Sequence, residues 1–332
     1  PGAGCDALGC LHRRDAAGRD QIGAYIAGDM CRQPLAHDRA VITAYRFFLL
    51  GQNTAARNIY EQLLARDPMD ADAWYGLGDA WFHDTEGRPD RHFTESLRAF
   101  RRTLALAPDY SLAYEHIQFM LDQASRPATG MFLVTPDSFA SGPGVDSATR
   151  VTATTRARQA GVESARAWST AQPATGRAHL AMVDALLVNR QYADAMAEVA
   201  RFRVADPTNP ELPFLQARVR FASGEGPRAA AELKSALATI TSGDFAGAED
   251  AATVTDDVLA GANIFAYYGD LASAARVLEL ADEIRTEVLS ASIPEVLKGG
   301  DWKRSMQGAL YGGAGVPVAA LERIWGATAE GA

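Results

Sequence analysis

Apolar residues fall along this chain in short bursts at helical spacing, separated by polar turns that return at similar intervals. In Ala73–Phe82, the residues Trp74, Leu77 and Trp81 are spaced i, i+3, i+7 and so share one face of a helix. Ser96–Phe100 begins a second helix that stops at Ala107-Pro108, because proline disfavours helical backbone in the residue before it. The same layout returns down the chain. Ala40–Leu50 and Thr54–Ala65 flank Gly51-Gln52-Asn53 and end at Asp67-Pro68; His179–Val188 and Tyr192–Ala205 flank Asn189-Arg190-Gln191 and end at Asp206-Pro207. Phe214–Ala222 pairs with Arg228–Thr239, and Val258–Tyr267 with Ala272–Ile284, across turns holding Gly224 and Gly269. Ala56, Ala195, Ala229 and Ala274 each stand near the start of a second helix, where close packing on the first demands a small side chain.

Two stretches break this rhythm. Tyr114–Gln123 and Ala148–Ala171 read as helices, but Pro127, Gly130, Pro136, Gly142, Pro143 and Gly144 lie between them. Residues 126–147 are therefore expected to form an irregular loop insertion, of a length that often carries function. Its apolar run Met131-Phe132-Leu133-Val134 needs cover, either by folding back on a groove or as a plain structural insertion. The second break is Thr85–Arg91, between two paired helices. The chain then divides into an N-terminal extension (1–36), repeats with an insertion (37–125), the loop (126–147), further repeats (148–285) and a C-terminal helical cap (286–332).

The run Ala73-Trp74-Tyr75-Gly76-Leu77-Gly78-Asp79-Ala80-Trp81, with Ser96–Phe100 and Ala107-Pro108 behind it, resembles the tetratricopeptide signature. Pro173 to Pro207 spans 34 residues and Pro68 to Pro108 spans 40, against about 34 in that family. The resemblance implies an all-α fold, an α-solenoid of five to six helix-turn-helix repeats with a C-terminal capping element. It also implies a non-catalytic scaffold for protein–protein interaction, the first helix of each pair lining a concave face. Helical spacing places Tyr45, Phe48, Tyr75, Asp79, Phe82, His83, Phe119, Asp184, Phe214, Arg218, Phe221 and Tyr267 on that side. Aromatics with a few polar groups suit an extended or helical peptide, although packing between repeats would use the same residues. The chaperone-binding branch of the family clamps a terminal carboxylate with lysine and asparagine. Tyr75, Asp79, Leu180 and Asp184 stand at the comparable positions here, so that partner class is not expected. Ala73–His83, Gly87-Arg88-Pro89 and Phe100–Tyr110 are also similar to the repeat region behind the kinase or cyclase domain of some bacterial signalling proteins. That likeness implies a sensing or docking arm, and it favours structural roles for His83 and His116. A structural subunit of a larger assembly is the other alternative.

Charge narrows the partner class. The net charge of -9 and pI near 5.2 argue against nucleic acid, which selects a basic stripe. No run of 18 apolar residues is present, so no membrane span is expected. Only Lys234, Lys298 and Lys303 are lysines among 32 basic residues, a bias that reflects a GC-rich bacterial genome. With its first residue Pro1, the chain reads as a processed form or a piece of a longer one, cytoplasmic or exported. Cys5, Cys10 and Cys31 match no paired zinc pattern and read as free thiols or one disulfide. Asp79, His83, Asp84, Asp90, His92 and His116 are metal-ligand residue types. The Asp79/His83 spacing is no recognised ligand motif, however, and a histidine hydrogen-bonded between repeats explains it, so neither metal nor cofactor is expected. His12-Arg13-Arg14-Asp15 lacks the rest of a kinase, and Gly312-Gly313-Ala314-Gly315 lacks a P-loop lysine. No nucleophile is partnered in sequence with a base, and no enzyme activity is expected.

Overall fold

The computed structural model describes residues 36–84, 88–142, 144–245 and 251–292. Cys5, Cys10, Cys31, the N-terminal extension, the core of the Thr85–Arg91 break and most of the expected C-terminal cap lie outside those residues. The fold is all-α and built of helix-turn-helix pairs, with little strand. Twelve α-helices occur among the described residues. α1 (Ala36–Leu49) pairs with α2 (Asn53–Arg66), and α3 (Ala71–Phe82) with α4 (Pro89–Leu106). α5 (Ser111–Ser125) is followed by a hairpin and the long α6 (Ser147–Ala171). α7 (Gly176–Val188) pairs with α8 (Tyr192–Ala205), α9 (Leu212–Ala222) with α10 (Gly226–Leu237), and α11 (Ala251–Tyr267) with α12 (Leu271–Ser292). The chain divides into two compact units, residues 1–164 and 165–332, described separately below.

One device makes the turn inside four of these pairs. Gln52, Gln191, Glu225 and Asp270 donate their backbone N–H to the carbonyls of Phe47, Leu186, Arg220 and Phe265, five residues back. The residue before each donates to the carbonyl three back, giving Gly51 to Phe48, Arg190 to Leu187, Gly224 to Phe221 and Gly269 to Ala266. This is the Schellman pattern, whose penultimate residue adopts the left-handed region. Gly51, Gly224 and Gly269 do so at φ 71, 92 and 76°, and Arg190 does so at φ 57°. An arginine there meets the Cβ clash that glycine avoids. Arg190→Gly should therefore raise stability by about 0.5–1 kcal/mol in a urea titration; an unchanged or lower midpoint would show that Arg190 is not strained.

Helix ends between pairs are equally regular. Asp67, Ala107 and Asp206 each donate their N–H to the carbonyl four back, at 2.8 Å, and the following proline stops the helix. Asp70 then caps α3 by accepting from the N–H of Ala73 at 2.9 Å. Ala56, Ala195, Ala229 and Ala274 are all fully buried, as the sequence pattern requires. Gly76 and Gly78 carry the same logic further. A Cβ on Gly76 would stand 2.3 Å from the Tyr60 ring of α2, and one on Gly78 2.7 Å from the Phe100 ring of α4. In unit 1 the α1–α3 core gathers Ala44, Tyr60, Leu63 and Leu77, and the α4–α5 core gathers Leu97, Phe100, Ile117 and Met120. In unit 2 Phe214, Leu233, Val258, Phe265 and Ile284 share one core.

Residues 131–141 depart from the expected irregular loop. Met131–Thr135 (β1) and Ser138–Ser141 (β2) pair antiparallel, with Phe132 opposite Ala140 and Leu133 opposite Phe139. Met131, Leu133 and Phe139 join the α4–α5 core, which supplies the cover the apolar run needs. Polar groups finish the job: Thr94 Oγ1 accepts from the N–H of Phe139 at 2.9 Å, and Arg156 donates to the carbonyls of Leu133 and Val134 at 2.8 and 2.6 Å. The Pro and Gly residues around the run punctuate a hairpin rather than an open loop.

Candidate functional site

The expected aromatic side of unit 1 is one connected row. Tyr45 stacks on Phe48 with centroids 6.0 Å apart, and Phe48 meets the edge of His83 at 5.4 Å. His83 lies against Phe82, which contacts His116 at 4.8 Å and Phe119 at 5.5 Å. Tyr75 contacts Phe100, Tyr110 and His116. Tyr45 and Phe48 come from α1, Tyr75 and Phe82 from α3, and His116 and Phe119 from α5, and a spacing of about 3.6 residues per turn brings each helix's share to one side. Tyr45 and Phe119 keep 38% and 50% of their surface exposed, while Phe48, Tyr75 and Phe82 are half-buried. Part of the row is thus packing and part is open surface.

At its centre Asp79 meets two histidines. Asp79 Oδ1 lies 3.3 Å from His83 Nε2, one helical turn on, and 3.3 Å from His116 Nε2 on α5. The three ligand-type atoms all fall within 4.8 Å of one another. His116 Nδ1 donates to the Leu112 carbonyl at 2.8 Å, since a carbonyl oxygen can only accept. Burial disfavours the Asp79 charge, but His116 and His83 outweigh it and hold the carboxyl below its usual range. Burial likewise opposes charge on His116, while Asp79 and the Leu112 carbonyl raise its pKa. Of the six ligand-type residues read from the sequence, Asp84, Asp90 and His92 stand apart. Asp84 pairs with Arg57, Asp90 pairs with Arg88, and His92 Nδ1 donates to the Asp84 carbonyl at 2.7 Å.

Unit 2 sorts its expected residues differently. Phe221 meets Tyr267 edge-on at 5.4 Å, and Tyr267 is 73% exposed. Asp184 pairs with Arg218, which also pairs with the buried Asp257. Phe214 is a correction: it is 1% exposed and belongs to the core with Phe245 and Phe265. Gly261 makes the space, since a Cβ there would stand 3.2 Å from the Phe214 ring. Helical spacing alone cannot show which of two helix faces a neighbouring glycine opens.

Residues 43–91 and 180–245 match the model of the tetratricopeptide repeat family, and three of the four Schellman turns lie within them. Both stretches carry tetratricopeptide repeats. Among solved structures, a thermophilic tetratricopeptide repeat protein of Thermus thermophilus is 16% identical, covering 61% of this chain and 90% of its own, with a TM-score of 0.37. PilF of Pseudomonas aeruginosa is 14% identical over 77% of this chain and 96% of its own, with a TM-score of 0.43. A tetratricopeptide repeat protein from Parabacteroides merdae is 13% identical over 78% and 83%, with a TM-score of 0.43. No curated protein matches the sequence. Among the described residues of this tetratricopeptide array, no helix is long and apolar enough to cross a membrane.

The sequence pattern misses several residues that complete these surfaces. Tyr110 and Phe93 join the unit 1 row through Tyr75 and Phe82, and Tyr268 joins Phe221 and Tyr267. Tyr110 and Tyr268 sit in turns just outside the helices, where helical periodicity assigns no face.

Proposed function

We propose that this chain is a non-catalytic scaffold that holds a segment of a partner protein on the first helices of its repeats. The observation that carries this reading is the half-open aromatic row of Tyr45, Phe48, Phe82 and Phe119, with polar Asp79 and His83 along it. Aromatic side chains offer large contact area at low entropic cost, and they dominate the energetics of peptide and protein recognition. Stacked helix pairs present such side chains on their concave side. Tyr45 and Phe119 are the residues to test, because their exposure separates recognition from folding. In capture from native extract, Tyr45→Ser with Phe119→Ser should lose proteins that the parent chain retains, with thermal stability within about 0.5 kcal/mol of the parent. An identical set of captured proteins from both chains would sink the reading for unit 1.

A further inference from the structure

We propose that Asp79, His83 and His116 bind a divalent transition-metal ion of the zinc type, with one coordination position left for a further ligand. These three are among the six ligand-type residues of the sequence, where their spacing matches no ligand motif because the third comes from another repeat. Geometry supplies the case for an ion. Nitrogen and oxygen ligands about 2.0–2.1 Å from a tetrahedral zinc ion stand about 3.3 Å from each other. Asp79 Oδ1 lies at that separation from each histidine nitrogen, 3.3 Å in both cases. Two imidazoles and a carboxylate are also a donor set suited to zinc, cobalt or nickel rather than to magnesium or calcium.

Two details favour an ion over a purely structural contact. Asp79 Oδ1 is buried and receives no bond of proper hydrogen-bond geometry, despite two ring nitrogens at ion-pair distance. A buried acceptor without a well-formed hydrogen bond is unfavourable. In addition, His116 Nδ1 donates to the Leu112 carbonyl, which fixes the ring with Nε2 facing Asp79. A carbonyl acceptor on the far nitrogen is also what orients most metal-bound histidines. Phe82 and Phe100 hold the His116 ring, and Phe48 holds that of His83, so little ordering is left to do on binding. The His83 side chain is 51% exposed, which gives an ion its way in.

The test uses the full chain without an affinity tag, with Cys5→Ser, Cys10→Ser and Cys31→Ser removing competing thiols, stripped of metal by chelator. Zn²⁺ alone is titrated by calorimetry at about pH 7.5, because metal binding requires deprotonated ligands, and Co²⁺ alone by visible absorption. The expected result is one saturable ion per chain and, with Co²⁺, the intense visible bands of a four-coordinate centre. His83→Gln should weaken binding at least about tenfold, His83→Gln with His116→Gln should abolish it, and His37→Gln on the surface should leave it unchanged. Because His83 is half exposed, its variant keeps the helix pair intact, which a melting curve verifies. No saturable binding, or equal affinity in parent and double variant, overturns the proposal. Partner capture does not enter this test, so the metal and the scaffold readings stand or fall separately.

Discussion

Gly78→Leu is expected to destabilise the protein by about 3 kcal/mol, the upper end of the usual cost of overpacking a core. A Cβ alone would lie 2.7 and 2.8 Å from two atoms of the Phe100 ring, and a leucine adds three carbons beyond it. Phe100 has nowhere to go. It is fully buried, with Tyr75 and His116 rings at 5.6 and 4.8 Å. Gly78→Ala sharpens the test, because alanine gains about 1 kcal/mol of helix propensity over glycine. If close approach of α3 and α4 governs this position, even that variant should lower the midpoint of a urea titration. Two midpoints equal to or above the parent's would mean that the pair is not packed as described. The substitution should also disturb the Asp79 cluster, since Phe100 lies between Gly78 and His116.

His179→Ala should cost about 3 kcal/mol, as expected when one partner of a buried ion pair is removed. His179 Nδ1 lies 2.6 Å from Glu198 Oε1, and its Nε2 lies 3.1 Å from the Pro173 carbonyl. Both ring nitrogens face acceptors, so both donate and the ring is an imidazolium. The Glu198 hydrogen bond raises the His179 pKa against the opposing effect of burial. Burial opposes the Glu198 charge, but His179 and Arg201 hold its pKa down. The variant strands a carboxylate that is 3% exposed, with the largely exposed Arg201 as its remaining partner, and removes a ring stacked 5.3 Å from Phe202.

The pH dependence follows from those two directions. A raised histidine pKa stabilises fully below its unfolded value, about 6.5, and the effect is lost as pH rises through the folded value. A lowered glutamate pKa stabilises above its unfolded value, about 4.3, and the effect is lost as pH falls through the folded one. The stability gap between parent and His179→Ala should therefore be widest between about pH 4.3 and 6.5 and narrow on either side. A gap independent of pH would mean that the loss is one of packing alone and that the ring is neutral.

Much of this molecule is legible in its sequence, because its regular features are local. A helix face depends on residues three and four apart, and a proline or a left-handed glycine ends a helix within one turn. The pairs, the turns at Gly51, Gly224 and Gly269, the buried alanines and the shared side of Tyr45, Phe48, Tyr75, Phe82 and Phe119 all follow from such spacing. Where the chain uses an unexpected residue in a regular place, as with Arg190 in a left-handed turn, the rhythm of neighbouring repeats still locates the element. The paired strands of 131–141 escaped that logic. Five and four residues are too few to show alternation, and their apolar side is defined only by the helices they cover.

What the tertiary structure decided depends on residues brought together from different helices. Phe214 is core rather than surface because Gly261, far along the chain, leaves room for its ring. Asp79 and His116 are 37 positions apart in the sequence, and only the packing of α5 beside α3 sets their side chains at 3.3 Å. The His179–Glu198 pair likewise needs two helices to approach. Local periodicity fixes which face of a helix a residue occupies. It carries no information on which residue of the next helix stands opposite, because that register is set by side-chain volumes packed at the interface.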